Sequence, residues 1–348
     1  MTFLLTGTRA PATLDLARRL ARDGARVIGA DSLRWPLGRS SRAFAKHYRV
    51  PSPRFAREPF ISAVLEIAAR EGVSLIWPTC EEIFHLAAAH GRISARVSLF
   101  CDPLAVLDPL HDKLAFARLA GEMAPASWSP EEAPDDPTLV WKPRYSRFGV
   151  STRIGSRPPE PAGWMAQEFV AGEEFSSWAL CHDGEVRTLT FYQCPARAGR
   201  AGCAFEPIWD EPAAAFIVSF AAARRLTGSL AFDFIRDAIG RVRVIECNPR
   251  LTSGIHVLDP SVRLTGLLRE AAPLPPPMVP AQLGLPTWFS NWRVAGTSPD
   301  VIAATDDPGP RWGQFLGFTE LAAIAVRHSL SLAAASTRDL EYNGPDGD

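Results

Sequence analysis

Leu230-Ala231-Phe232-Asp233-Phe234-Ile235 and Val242-Arg243-Val244-Ile245-Glu246-Cys247-Asn248 are two runs of strand-forming residues joined by a turn at Asp237–Gly240. Paired as a hairpin with Arg236 opposite Arg241, they place Asp233 opposite Val244. Residues two further along share that face, so Glu246 and Asn248 point the same way as Asp233. A two-residue loop at Ala238-Ile239 keeps the same pairs opposite each other. Two carboxylates and an amide therefore meet on one sheet face, between positions rich in Phe, Ile and Val. Like charges at that separation repel, and burying them unpaired costs on the order of several kcal/mol. A cation belongs beside them. Oxygen ligands without His or Cys suit a hard ion, Mg²⁺ or Mn²⁺, completed by water and phosphate oxygens. The alternative is a solvated strand face with scattered acids.

All three of the chain's lysines lie upstream of the hairpin, in a sequence that otherwise takes its positive charge from arginine, and two of them bear on it. Lys142 ends the apolar strand Leu139–Lys142 and leads into Pro143-Arg144-Tyr145-Ser146-Arg147-Phe148-Gly149. From there it can reach phosphate oxygens while the loop covers them. Lys113 lies in the first turn of a helix over His111–Gly121. The competing reading for each is a solvated surface lysine. Arg197 and Arg200 can hold a substrate carboxylate, or lie in a surface loop. His256 follows the hairpin closely, as an acceptor-pocket residue or as core. Trp288, Trp292 and Trp312 read as packing residues.

The first hundred residues alternate strand and helix. Thr2–Gly7 is a strand, Pro11–Arg22 a helix opened by proline and closed before Gly24, and Arg26–Asp31 a second strand. Helix Phe60–Glu71, strand Val73–Pro78, helix Glu81–Ala89 and strand Val97–Phe100 continue the pattern, which predicts a doubly wound parallel sheet. The turn Gly7-Thr8-Arg9-Ala10-Pro11 has one glycine where a dinucleotide loop wants three, so it reads as a plain turn. Glu81 and Glu82, adjacent on a helix, point in different directions, and their place at its N-terminus accounts for them. Beyond Asp102-Pro103, strands fall at 139–142, 150–154, 164–170, 175–181 and 186–192, with a helix at 212–227. Leu274-Pro275-Pro276-Pro277 marks a boundary before a tail with one helix near 314–328 and a frayed end at 343–348.

From about Pro109 to His256 the chain resembles the ATP-grasp superfamily, and the N-terminal unit is similar to the domain that usually precedes it. Asp112-Lys113 resembles the first nucleotide-binding lysine, and Trp141-Lys142-Pro143-Arg144 the second. Gln167-Glu168-Phe169-Val170 is similar to the hinge whose backbone holds adenine, and Glu174 stands where the ribose-binding acid does. The strands bearing Asp233, Glu246 and Asn248 resemble the metal-binding pair. Arg250 resembles the arginine facing the transferred phosphate, with Lys142 its catalytic companion. The loop after Lys142 keeps only Gly149 where the family has several glycines. Tyr145, Arg147 and Phe148 make it bulkier, and Arg144 or Arg147 can substitute charge for backbone contacts.

The resemblance implies an α/β chain: a doubly wound sheet over 1–105, the two lobes of an α+β ATP-grasp core over 106–190 and 191–275, and an extension over 276–348. It implies an ATP-dependent, ADP-forming carboxylate–amine ligase using Mg²⁺ or Mn²⁺, with an acyl-phosphate intermediate and small-molecule acid and amine substrates. The alternatives are a carboxyphosphate-forming enzyme, similar to biotin carboxylase or carbamoyl-phosphate synthetase, and a non-catalytic ATP-binding module.

Composition agrees with an enzyme of this size. The 348 residues suit two or three domains, and 37 basic against 38 acidic residues leave a net charge of −1, without the basic excess of a nucleic-acid binder. No run approaches the ~18 apolar residues of a membrane span. The N-terminus lacks a basic lead and cleavage site. Six cysteines, at 80, 101, 181, 194, 203 and 247, form no CxxC, which argues against structural zinc and a disulfide framework and for a cytoplasmic setting. The sheet edges and tail leave room for a homodimer.

Overall fold

The N-terminal strands β1 (Thr2–Thr6), β2 (Arg26–Asp31), β3 (Lys46–Arg49), β4 (Leu75–Trp77) and β5 (Ser98–Leu99) pair in parallel, in the order β3-β2-β1-β4-β5. The computed structural model describes residues 1–147, 151–199 and 201–345. Around this sheet lie α1 (Pro11–Arg22), α2 (Arg57–Glu71), α3 (Glu82–Ala87) and α4 (His90–Ser94). The doubly wound expectation holds. Leu14, Leu16, Ala17 and Leu20 of α1 are buried, and Gly24 takes the left-handed conformation that turns the chain into β2. The sequence reading passed over β3 because Lys46-His47-Tyr48-Arg49 is polar. It is an edge strand, half exposed, and needs no apolar run.

Next come α5 (Leu104–His111) and α6 (Lys113–Ala120), where a single helix over 111–121 was expected. Asp112 separates them: its carboxylate accepts the N–H groups of Leu114 and Ala115 at 3.0 and 3.3 Å and caps α6. Strands β6 (Ser127–Trp128), β7 (Val140–Pro143), β8 (Arg153–Ile154) and β9 (Trp164–Gln167) make a small antiparallel sheet ordered β6-β9-β7-β8. The expected strand over 150–154 begins at Arg153; Val150, like Phe148 and Gly149, lies outside the described residues.

A larger antiparallel sheet follows, built from β10 (Gly172–His182), β11 (Glu185–Ala198), β12 (Ala201–Ile208), β13 (Gly228–Asp237), β14 (Val242–Asn248) and β15 (Ala281–Gln282). Helix α7 (Glu211–Arg224) covers one face, where Phe175, Phe191, Phe232, Phe234 and Val244 meet Ile217 and Phe220. On the other face Trp178 and Leu180 join Leu251, Ile255 and the N-terminal Phe3, Leu5 and Trp77 in a second core. That second core covers only part of its face. Ser176, Asp233 and Glu246, at the remaining end, are only half buried.

The last third carries α8 (Leu264–Leu267), α9 (Leu285–Ser290), α10 (Gly309–His328) and α11 (Leu332–Thr337). Gly309, Gly313 and Gly317 form one stripe of α10, and a Cβ at any of them would run into Ser40 or the Trp35 carbonyl. Two expectations fail here. Trp288, Trp292 and Trp312 are 57, 70 and 67 % exposed; for Trp312 the reason is the close glycine approach, which turns the aromatic face of α10 outward. The chain end is tied down as far as Asn343, since Tyr342 is buried against Phe84; residues 346–348 lie outside the described ones. Among the described residues, no helix is long and apolar enough to cross a membrane, and all six cysteines are free.

Candidate nucleotide and metal site

The hairpin turn is one residue longer than the sequence suggested. Asp237 accepts the N–H groups of Ile239 and Arg241 at 3.0 and 2.8 Å, and Gly240 adopts φ +83°, so Arg236 pairs with Val242 instead of Arg241. A bulge at Ile245 then adds a second step: Phe234 faces Val244, but Asp233 faces Glu246. The expected Asp233–Val244 pair is therefore wrong, and Val244 lies in the α7 core. The two single-residue steps restore parity, so Asp233 and Glu246 do share a face, and directly opposite each other.

That pair belongs to a row crossing four strands: Tyr192 of β11, Ser176 of β10, Asp233 of β13 and Glu246 of β14. The Ser176 hydroxyl donates to Asp233 Oδ1 at 2.6 Å, and Asn248 Nδ2 donates to Glu246 Oε1 at 3.2 Å. Burial first and repulsion from Glu246 second push the Asp233 carboxyl well above the carboxylate range. Burial opposes ionisation of Glu246 as well, but Lys113 and Lys142 outweigh it and hold that group well below the range.

Both lysines converge on this row. Lys113 Nζ lies 3.2 Å from Glu246 Oε2 and donates to the Ser146 carbonyl at 3.1 Å. Lys142 Nζ donates to Gln167 Oε1 at 2.8 Å and to the carbonyl of the bulged Ile245 at 3.3 Å. Burial lowers its ammonium to about 8, partly opposed by Glu246. Neither lysine is the solvated surface residue of the competing reading, since each is about 5 % exposed. Gln167 is held in turn, its Nε2 donating to Ser127 Oγ at 3.0 Å.

Glu168 uses its backbone N–H on the Ala126 carbonyl at 2.8 Å, while Phe169 is exposed and Val170 half buried on the way to β10. Glu174 stands two residues before Ser176 on the same face and pairs with Arg197 at 2.8 Å. Arg197 is thus engaged with Glu174 on the β11–β12 hairpin, where the sequence read a loop; Arg200 lies outside the described residues. Arg250 follows β14, and its buried Nε has no partner. Its charge acts on Glu81 and His111 of the N-terminal side and on Asp233 of the row. His256 is core: Nδ1 lies 2.9 Å from Asp15 Oδ2, and Asp15 pairs with Arg19.

Sequence reasoning missed the Glu81–Arg147 ion pair, both partners nearly enclosed. Asp112 was quoted only as the neighbour of Lys113, and its pairing with Arg144 at the start of α6 was not foreseen. Glu81 had been explained by helix polarity alone; its partner is 66 residues away, and no local pattern marks it.

Two facing carboxylates, one of them resisting ionisation, and an amide two residues on make an oxygen-only donor set that suits Mg²⁺ or Mn²⁺. Among the described residues no group of three or more His, Cys, Asp or Glu competes with it. Residues 111–254 match the model of an ATP-grasp domain. The chain carries an ATP-grasp domain. Every candidate nucleotide- and metal-site residue named above, from Lys113 to Arg250, lies inside that stretch. The fold is similar to N5-carboxyaminoimidazole synthetase from Staphylococcus aureus in complex with ADP, with TM-score 0.59, 13 % identity and 80 % of each chain covered. It is also similar to biotin carboxylase from Campylobacter jejuni, with TM-score 0.58, 12 % identity and 78 % of this chain against 72 % of that one. L-amino acid ligase from Bacillus licheniformis gives TM-score 0.55, 14 % identity, and 77 % against 74 %. No curated protein sequence matches the chain significantly.

Proposed function

We propose that this chain is an ADP-forming ATP-grasp ligase that activates a small carboxylic acid by phosphoryl transfer and joins it to an amine. The observation that carries the proposal is the meeting of Lys113 and Lys142 with the Asp233–Glu246–Asn248 face. Transfer between anions needs neutralisation and alignment more than a side-chain nucleophile. Lys142, Lys113 and the unpartnered Nε of Arg250 supply fixed positive charge to phosphate oxygens, and the 168–170 backbone with Glu174 holds the nucleoside end. Asp233, Glu246 and Asn248 are the residues that would hold Mg²⁺ or Mn²⁺, which supplies further charge neutralisation at the phosphates. The acid's carboxylate oxygen attacks the γ-phosphorus and ADP leaves. The amine then attacks the acyl carbon, phosphate leaves, and the amine nitrogen gives up a proton. This chemistry needs no Ser–His or Cys–His pair.

The test is ADP release from Mg-ATP across a library of carboxylic acids, bicarbonate among them, with hydroxylamine as trap. Hydroxamate formed in step with ADP, and lost in Glu246→Ala, supports the ligase. ADP that depends on bicarbonate alone supports carboxyphosphate chemistry, and AMP with pyrophosphate rules out an acyl phosphate.

A further inference from the structure

The segment after α11 crosses the carboxyl ends of β1 and β2, on the side where open α/β sheets receive ligands. Arg9, in the turn after β1, is enclosed there between Asp31 and Asp339, at 2.6 Å from each. Arg54 pairs with Glu341 at 2.7 Å, and His85 Nε2 lies 3.1 Å from the Leu340 carbonyl. Tyr342 stacks on Phe84 with ring centroids 4.9 Å apart and donates its hydroxyl to Asp108 at 3.0 Å. Residues 339–342 thus occupy the crevice at the carboxyl ends of β1 and β2.

The far end of the segment meets the loop that follows Lys142. Arg147 donates to the Tyr342 carbonyl at 2.7 Å and to Asn343 Oδ1 at 2.9 Å while pairing with Glu81. Tyr145 donates to the same Asp108 oxygen as Tyr342, at 2.9 Å. One residue before Arg147, the Ser146 carbonyl accepts from Lys113, the lysine that also meets Glu246. A line of direct contacts therefore runs from the N-terminal crevice through residues 339–343 to the nucleotide-site lysine.

We propose that residues 339–343 are a positioning strap, which holds the loop after Lys142 through Arg147 and so fixes Lys113 at the nucleotide cleft. This rests on the ATP-site reading above. A glycine-poor loop cannot wrap phosphates with its own backbone as a glycine-rich one does. Here residues 144–147 are held from outside, by the Arg147 guanidinium with three acceptors on two distant segments. Arg147 is a positioning residue; it acts through Ser146 on Lys113.

The experiment is calorimetric titration with MgADP of the full chain, of Asn343→Ala, of Arg147→Met and of the double variant, with hydrogen exchange of residues 144–147 in each. The strap predicts about tenfold weaker MgADP binding in each single variant, faster exchange at 144–147, and no further loss in the double, because both changes break one network. Affinity and exchange at wild-type values, or losses that multiply, overturn it. If Arg147→Met does not fold, Arg147→Lys keeps a charge opposite Glu81 but loses the fork, and must show the same loss. A wild-type chain that fails to bind MgADP overturns the nucleotide reading itself, which separates that failure from failure of the strap.

Discussion

Asp233 and Glu246 face each other across two strands, and while Lys113 and Lys142 keep Glu246 ionised, burial and repulsion from Glu246 hold the Asp233 carboxyl above the carboxylate range. Asp233→Asn removes the repulsion but keeps an oxygen for the Ser176 hydroxyl. It is expected to raise the thermal midpoint of the metal-free chain by about 2 °C, since ~1 kcal/mol shifts a domain of this size by that order. The same variant should lose at least ~100-fold in ADP release, as expected when charge stabilisation of a transferring phosphoryl group is removed. Differential scanning calorimetry and the hydroxamate assay read the two effects separately. His111 gives a pH signature. Burial, first among its causes, lowers its imidazole to about 3 from an ordinary 6.5. Below pH 6.5 the unfolded chain takes up a proton that the folded chain refuses, so this group's contribution to stability falls as pH drops toward 3. At pH 5 the loss is on the order of 2 kcal/mol. His111→Phe, which keeps the stack on Phe84 with centroids 4.5 Å apart, should flatten that fall in urea titrations at pH 5 and 7.

At the scale of elements, the β13–β14 hairpin and α10 are each defined by glycine, for opposite reasons. Gly240 is needed for its backbone conformation: φ +83° admits the turn that sets the first register step. Gly240→Val is expected to cost ~1–2 kcal/mol in denaturant midpoint, the order of forcing a branched residue into that region. Gly313 of α10 is needed for its missing side chain, because a Cβ there would meet the side chain of Ser40. Gly313→Ala should destabilise by ~1–3 kcal/mol through overpacking. Ser40→Gly in the same chain should recover most of it, whereas Ser40→Gly should do nothing for Gly240→Val. Ile245 adds a third case, a bulge whose carbonyl receives Lys142, so the irregular residue of the strand is the one that holds a site lysine.

Across the whole molecule, the site is assembled from separate layers: α6 and β7 bring the lysines, β13 and β14 the acids, and the N-terminal side brings Glu81 to Arg147. A ligand that spans those layers stabilises all of them together. MgADP at a hundred times its dissociation constant should add about 2.7 kcal/mol to unfolding. EDTA should remove most of that gain without moving the ligand-free midpoint. A midpoint indifferent to MgADP would mean that no nucleotide bridges the lobes.

Much of this architecture was written locally. Apolar periodicity with Pro11 and Gly24 specifies α1 and the parallel sheet, and alternation in 230–235 and 242–248 specifies a hairpin with its acids on one face. Asp233, Glu246 and Asn248 were legible as one face because side chains alternate along a strand and the two register steps cancel, whereas Lys113 and Lys142 were picked out by their rarity and by the resemblance. The register was not legible, because a left-handed Gly240 and a bulge at Ile245 each shift it by one residue and are chosen by packing against the rest of the sheet. Glu81–Arg147, Glu174–Arg197 and the seat of Tyr342 were not legible either. They join segments from 23 to 261 residues apart, and a charge or ring on one segment gives no sign of where its partner lies. The sequence by itself determined which residues are candidates for the chemistry and that the two acids share a strand face. The tertiary structure decided how they are held, since burial of paired charges depends on segments that only the completed fold brings together.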